Sequence, residues 1–269
     1  MHCDASCPIG IFDSGVGGLT VARAVMDRLP NERIVYFGDT ARVPYGVKSP
    51  DTVARYAGQI TQFLLGQNVK LLIVACNTMA AVALPAIAAA SPVPVIEVIS
   101  AGAKSALSVT KTKHIGIIAT PSTIASRAYE KALALFGGPD VHVTAKACPL
   151  FVPLVEEGWL DHPATRLVAE EYLRPMLADH PDTLILGCTH YPLLSPLLQT
   201  VVGPTVRLQD SATAMAERAA AVLAELGLCR DDGERPRHVF HVTDMPLRFR
   251  EIGERFLGRP MEDVRLEQM

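Results

Sequence analysis

The sequence carries no excess of charge: Lys and Arg total 25 against 28 Asp and Glu, a formal charge of −3. A balance of that kind leaves no electrostatic footprint for nucleic acid or for an anionic membrane. No apolar run approaches the roughly 18–20 residues of a membrane span. Met1 to Pro8 holds no basic stretch followed by an apolar one, so no secretory signal is visible. Aromatics are scarce at 6%, with one Trp. Cysteine is also sparse, with 6 in 269 residues, no CxxC pair and no His at zinc-finger spacing. That leaves no signature of a disulfide framework or a structural metal. The expectation is a cytoplasmic protein with reduced thiols.

What is present is apolar: 49% of residues are hydrophobic and 20% charged, enough for one large domain or two modest ones. Strand patterns fall at Ile9–Asp13, Arg33–Phe37, Leu71–Ala75, Val93–Ile96, His114–Ile118, Val141–Ala145, Thr183–Gly187 and Thr205–Leu208. Helical spacing marks Gly18–Leu29, Asp51–Leu65, Thr78–Ala90, Ser122–Leu135, Pro163–Ala178 and Ser211–Leu226. Solid apolar strands such as Leu71-Leu72-Ile73-Val74 suit a parallel sheet covered on both faces, and the alternation predicts an α/β architecture.

A faint internal repeat is more informative. Ile9-Gly10-Ile11 and Ile115-Gly116-Ile117 stand 106 positions apart. The runs from Leu72 to Thr78 and from Leu184 to His190 stand 112 apart, each closing an apolar strand with a small residue and then Cys. The similar offsets predict a duplicated α/β unit, divided near Glu97–Gly102, with the second half ending near Gln209. The tail, 210–269, reads either as a third unit or as a return to the first half.

In open parallel sheets, ligands bind beyond the carboxyl ends of the strands. Asp13, Ser14, Asp39, Thr40, Cys76–Thr78 and Cys188–His190 all fall at predicted strand ends. The glycine-rich turn from Asp13 to Gly18 admits a dinucleotide reading, with Asp39 as ribose acceptor, but also reads as a plain tight turn. Thr20 stands where the third small residue is needed, and Asp13 would oppose a pyrophosphate. No Gly-Lys-Ser/Thr follows, which excludes a P-loop. Cys76 and Cys188 each read as packed core thiols when taken singly. Taken as a pair at equivalent strand ends, they would flank one ligand from opposite sides. Racemisation needs that arrangement, because a proton leaves one face of a carbon and another returns to the opposite face, and a poised thiol can serve as either acid or base. Asp13 is placed to assist one thiol and His190 the other, although His190 also reads as a satisfied core residue. Tyr45 and Gly46 offer a hydroxyl and an amide to a carboxylate, or merely shape their loop. Asn77, Thr78 and Thr189 suit a small zwitterion. Glu156 and Glu157 read by default as a solvated helix end.

At these residues the chain resembles a glutamate racemase over nearly its full length. The resemblance is carried by Ile11 through Thr20, Tyr36-Phe37-Gly38-Asp39-Thr40, Pro44-Tyr45-Gly46, Ala75-Cys76-Asn77-Thr78, Cys148-Pro149-Leu150 through Glu156, and Gly187 through Pro192. It departs at Thr120-Pro121-Ser122-Thr123, where the family commonly has Gly-Thr. The resemblance implies two pseudo-symmetric α/β domains, 1–97 plus 210–269 and 98–209, with the active site in the cleft between them. It implies cofactor-independent racemisation of L- to D-glutamate for peptidoglycan, with no metal. Cys76 would take the proton from D-glutamate and Cys188 from L-glutamate. Asp13, His190 and Glu156 would assist. Asp13, Ser14, Tyr45, Gly46, Asn77, Thr78, Thr189 and His190 would contact substrate. A homodimer with no nucleic-acid or membrane partner is implied.

Three rivals stay open on the sequence: an aspartate or hydantoin racemase using the same thiols, a nicotinamide-dependent oxidoreductase on the glycine-rich turn, and a two-lobed amino-acid binder without catalysis. Some relatives carry an N-terminal extension linked to activation by a peptidoglycan precursor, whereas here eight residues precede the first strand pattern. The expectation is a rate unchanged by the UDP-sugar precursor, and a large stimulation in a racemisation assay would overturn it.

Overall fold

The computed structural model describes residues 4–269; Cys3 lies outside them. The strands are β1 (Ile9–Asp13), β2 (Ile34–Gly38), β3 (Leu71–Val74), β4 (Val95–Glu97), β5 (His114–Ala119), β6 (His142–Ala147), β7 (Thr183–Gly187), β8 (Arg207–Gln209), β9 (Val239–Val242) and β10 (Val264–Leu266). They form two parallel sheets, in the orders β10-β9-β2-β1-β3-β4 and β6-β5-β7-β8. Every residue of β1, β2, β3 and β7 is buried, as solid apolar strands covered on both faces require.

The order β2-β1-β3-β4 in one sheet is repeated as β6-β5-β7-β8 in the other. Register repeats as well: Gly10 pairs with Leu72 and Gly116 with Leu184. A Cβ on Gly10 would stand 3.1 Å from the Leu72 side chain, and one on Gly116 3.0 Å from that of Leu184. Each glycine makes room for the leucine beside it, so the repeated Ile-Gly-Ile is a packing unit of the central strand. The strand order reverses direction between β1 and β3, and again between β5 and β7. Crevices at the carboxyl ends of such strand pairs are the usual ligand sites of open parallel sheets. Cys76 follows β3 and Cys188 follows β7.

The helices are α1 (Leu19–Arg28), α2 (Pro50–Gly66), α3 (Asn77–Ala90), α4 (Val98–Val109), α5 (Pro121–Ser126), α6 (Ala128–Gly137), α7 (Phe151–Glu156), α8 (Pro163–Leu177), α9 (Ser195–Val202), α10 (Ala212–Glu225) and α11 (Pro246–Leu257). Local chemistry sets several ends. Ser49 Oγ accepts from the Thr52 amide and Pro50 opens α2, while Thr120 caps α5 ahead of Pro121. The single helix expected over 122–135 is instead two. Ser126 Oγ donates to Thr123 O and accepts from Ala128 N, competing with the helical ladder, and Arg127 turns left-handed at φ 55°. A capped helix begins where the division near residues 97–102 is expected. Glu97 accepts from the amides of Ile99 and Ser100, at 2.5 and 2.8 Å, as α4 begins.

The tail joins the first sheet, with β9 alongside β2 and β10 outermost. A buried ion pair secures this end of the molecule. Lys70 Nζ lies 2.6 Å from Glu32 Oε2 and donates to Ala5 O and Leu228 O, while Glu32 accepts from the Arg230 amide. Ala5, near the start of the described residues, is thereby tied to this end of the molecule. Removing one member of a buried pair leaves the other charge uncompensated, at a cost of about 3–5 kcal/mol. Lys70→Met should lower the unfolding free energy in urea by about that amount. Adding Glu32→Gln should recover part of the loss.

Candidate active site

The carboxyl ends of β1, β3, β5 and β7 meet around one cavity of about 390 Å³. Ser14, Tyr45, Gly46, Asn77, Thr78 and Cys76 line it from the first sheet's side, and Glu156, Cys188, Thr189 and His190 from the other. Val43, Pro44, Val47, Pro149, Val152 and Pro153 supply much of the apolar remainder. A few converging polar groups on an apolar wall are what orient a small ligand. Both thiols reach this one chamber, and both are nearly sealed from bulk water, at 5% exposure for Cys76 and 6% for Cys188.

Close backbone contact holds the two sides together. A Cβ on Gly17 would stand 2.2 Å from Thr189 Oγ1 and 2.6 Å from His190 Nδ1, and one on Gly46 2.7 Å from Thr120 Cβ. Only glycine fits at either point. Thr20 Oγ1 also reaches Thr189 O at 3.3 Å. Thr78 Oγ1 lies 3.0 Å from Thr120 Oγ1, and Thr123, buried behind them, lies 3.0 Å from Thr120 Oγ1 and 3.5 Å from Thr78 Oγ1. The sequence reading missed these seam contacts. Their signal was present in Gly17 and Gly46, which it assigned to turn geometry and ligand binding.

The thiols have unlike partners. Cys76 caps α3 and has Ser14 Oγ 3.8 Å from its sulfur. Burial, with the charge of Asp13 behind it, pushes the Cys76 thiol up to about 12, against a smaller lowering by the Met79 amide. Asp13 itself lies behind the cavity wall. Its Oδ2 accepts from the Gly15 amide at 2.9 Å, its Oδ1 has no partner, and burial raises its pKa against the pull of His190. Cys188 Sγ is 3.9 Å from His190 Nδ1, and His190 Nε2 is 2.9 Å from Glu156 Oε1. Burial would lower the His190 pKa, but the bonds to Cys188 and Glu156 and their negative charges outweigh it and raise it to about 10. An imidazolium there donates from both nitrogens. The ring of Phe256, from α11, meets His190 edge-on at 5.3 Å between centroids. The solvated role expected by default for Glu156 is thus corrected, since it orients His190.

Two further expectations change. Tyr45 is 2% exposed and its hydroxyl proton is committed to Asp39 Oδ2, so that proton is not offered to a carboxylate, although the residue lines the cavity. Asp39 is wholly buried, holding Arg42 at 2.8 Å and accepting from Thr243 Oγ1, which removes it as a ribose acceptor. The glycine-rich turn is packed against Thr189 and His190 at Gly17, and against Asp13 and Tyr36 at Gly18. No pyrophosphate fits there. Cys148 is fully buried, and burial pushes its thiol up to about 12, as for a packed core residue.

Comparison with known proteins agrees with this chemistry. A model of the Asp/Glu/Hydantoin racemase family matches residues 19–219. The chain is 60% identical to the glutamate racemase of Syntrophus aciditrophicus, with 97% of each chain covered. It is 55% identical to that of Neisseria meningitidis serogroup A, with 96% of each covered. Among solved structures, the glutamate racemase of Francisella tularensis in complex with D-glutamate shares the fold at a TM-score of 0.92 and 40% identity, with 98% of each chain covered.

The His190 geometry has a pH signature. Its pKa is raised from 6.5 to about 10 on folding, so the folded state binds the extra proton between those values. The stability this contributes is complete below about 6.5 and is lost as pH rises toward 10. Urea midpoints measured from pH 7 to 10 should fall less steeply for His190→Gln than for the parent protein. In Glu156→Gln the imidazole titration followed by NMR should move down by about one unit.

Proposed function

The chain belongs to the Asp/Glu/Hydantoin racemase family, and from that premise we propose that it interconverts L- and D-glutamate through a two-thiol acid/base mechanism without a cofactor. One observation carries the reading: thiols at equivalent ends of β3 and β7, in the two repeated sheets, line the same chamber.

The substrate's α-carbon lies between the two sulfurs. For L-glutamate, the Cys188 thiolate removes the α-proton and the Cys76 thiol delivers its own proton to the opposite face. Cys188 ends as thiol and Cys76 as thiolate, and D-glutamate reverses both steps. The enantiomers have equal free energy, so a matched acid and base serve both directions. Burial holds Cys76 as the thiol, the form that delivery to L-glutamate requires. His190 holds a proton donor beside Cys188, Glu156 orients it, and Asp13 sets the charge behind Cys76. Ser14, Asn77, Thr78, Thr189 and the Gly46 amide hold the carboxylates and ammonium. Asp13 would act through Cys76 and the Gly15 turn rather than by touching substrate.

The wider reading is a cytoplasmic homodimer supplying D-glutamate for peptidoglycan, with no nucleic-acid or membrane partner. No helix among the described residues is long and apolar enough to cross a membrane. The division into 1–97 plus 210–269 and 98–209 is supported by β9 and β10 joining the first sheet.

Incubating dialysed protein with L-glutamate in D2O tests the mechanism. Deuterium should enter at Cα without added cofactor, and Cys76→Ser and Cys188→Ser should each slow racemisation by about 10²–10⁴-fold, the span of a lost general acid or base. Racemisation by either variant at the parental rate would end the two-base proposal.

A further inference from the structure

Tyr129, in α6, lies outside the set of residues just assigned, yet it touches both thiol-bearing loops. It is 1% exposed, and its hydroxyl donates to Asn77 Oδ1 at 2.7 Å. Asn77 directly follows Cys76. On the other side, a Cβ on Gly187 would stand 2.9 Å from Cε2 of the tyrosine ring, and Gly187 directly precedes Cys188. A Cβ on Gly102 would stand 3.2 Å from the hydroxyl oxygen. Two bare backbone positions thus define the slot in which the ring is held.

The consequence falls on Asn77. It is 3% exposed and lines the chamber, and its Nδ2 has no hydrogen-bond partner among the described residues. A buried donor with nothing to donate to is a rare and costly feature that calls for a ligand or a strain to account for it. A carboxamide can also flip, exchanging donor and acceptor faces. Tyr129 biases that choice: were the NH2 turned toward the hydroxyl oxygen, the buried hydroxyl proton would lose the acceptor it has in Asn77 Oδ1.

We propose that Tyr129 is a positioning residue whose hydroxyl locks the Asn77 carboxamide, so that its NH2 group is kept for a carboxylate oxygen of the bound amino acid. The inference rests on the racemase reading above. Without the hydroxyl, the amide can rotate and present oxygen to an anion, which weakens binding while leaving the thiols in place.

The test is a cycle of Tyr129→Phe, Asn77→Ala and the double variant, with KM and kcat measured from both L- and D-glutamate. Tyr129→Phe should raise KM about tenfold with kcat within about twofold. Asn77→Ala should raise KM further, and adding Tyr129→Phe to it should change KM no more. Parental KM in Tyr129→Phe, whatever its thermal midpoint, would overturn the proposal, as would a full additional effect in the double variant. If Tyr129→Phe does not fold, Asn77→Asp keeps an acceptor for the hydroxyl but has no NH2, and it should fold with KM raised at least about tenfold. Parental KM there would equally overturn the proposal. A parent protein that does not racemise glutamate would overturn the reading of the site instead.

Discussion

In the two-thiol mechanism proposed above, two sulfur atoms reach one carbon from opposite sides, and that requirement accounts for much of the structure around the chamber. No single open sheet can meet it, because its strand ends all face the same crevice. Two sheets with facing carboxyl edges can. The arrangement works only if the edges approach closely enough to exclude water, which is why the seam is built from glycines. At Gly17 the backbone lies directly against Thr189 and His190, and at Gly46 it lies against Thr120. A side chain at either position would pry the edges apart and let water into the chamber.

Closing the seam buries groups that water would otherwise satisfy. Asp13 is left with an unpartnered oxygen and a raised pKa, Cys76 with a thiol pushed up to about 12, and Asn77 with a free amide donor. These are costs of burial. In the reading proposed above, the ligand's ammonium favours negative charge on the Cys76 sulfur and one of its carboxylates accepts from Asn77.

Much of this was legible in the sequence. Buried parallel strands read as solid apolar runs, so β1 and β7 fall at their expected limits, and the Cys-bearing strand ends follow from the same pattern. The repeat showed itself in Ile-Gly-Ile because a packing constraint on the central strand acts on both halves alike. Other features leave no local trace. The break at Arg127 depends on the Ser126 hydroxyl competing for backbone bonds. α4, α7, α9 and α11, and the short edge strand β10, were not marked. The bond of Glu156 to His190, which the residue pattern alone read as a solvated helix end although the resemblance gave Glu156 an assisting role, and the commitment of the Tyr45 hydroxyl to Asp39 show only where those segments meet. Periodicity reports burial, whereas these partnerships are made across the fold.

The repeat also shows where duplication stops. Strand order, central glycines and thiol placement are shared by the halves, while the groups behind the thiols are not. A carboxyl and a hydroxyl stand by Cys76, whereas an imidazole and its carboxylate partner stand by Cys188. A reversible reaction between enantiomers does not demand identical surroundings. It demands that one sulfur be protonated whenever the other is not. Burial, with Asp13 behind it, favours the thiol at Cys76, while His190 stands beside Cys188 as a hydrogen-bonding partner. The halves thus share a frame and differ in the groups that serve each sulfur.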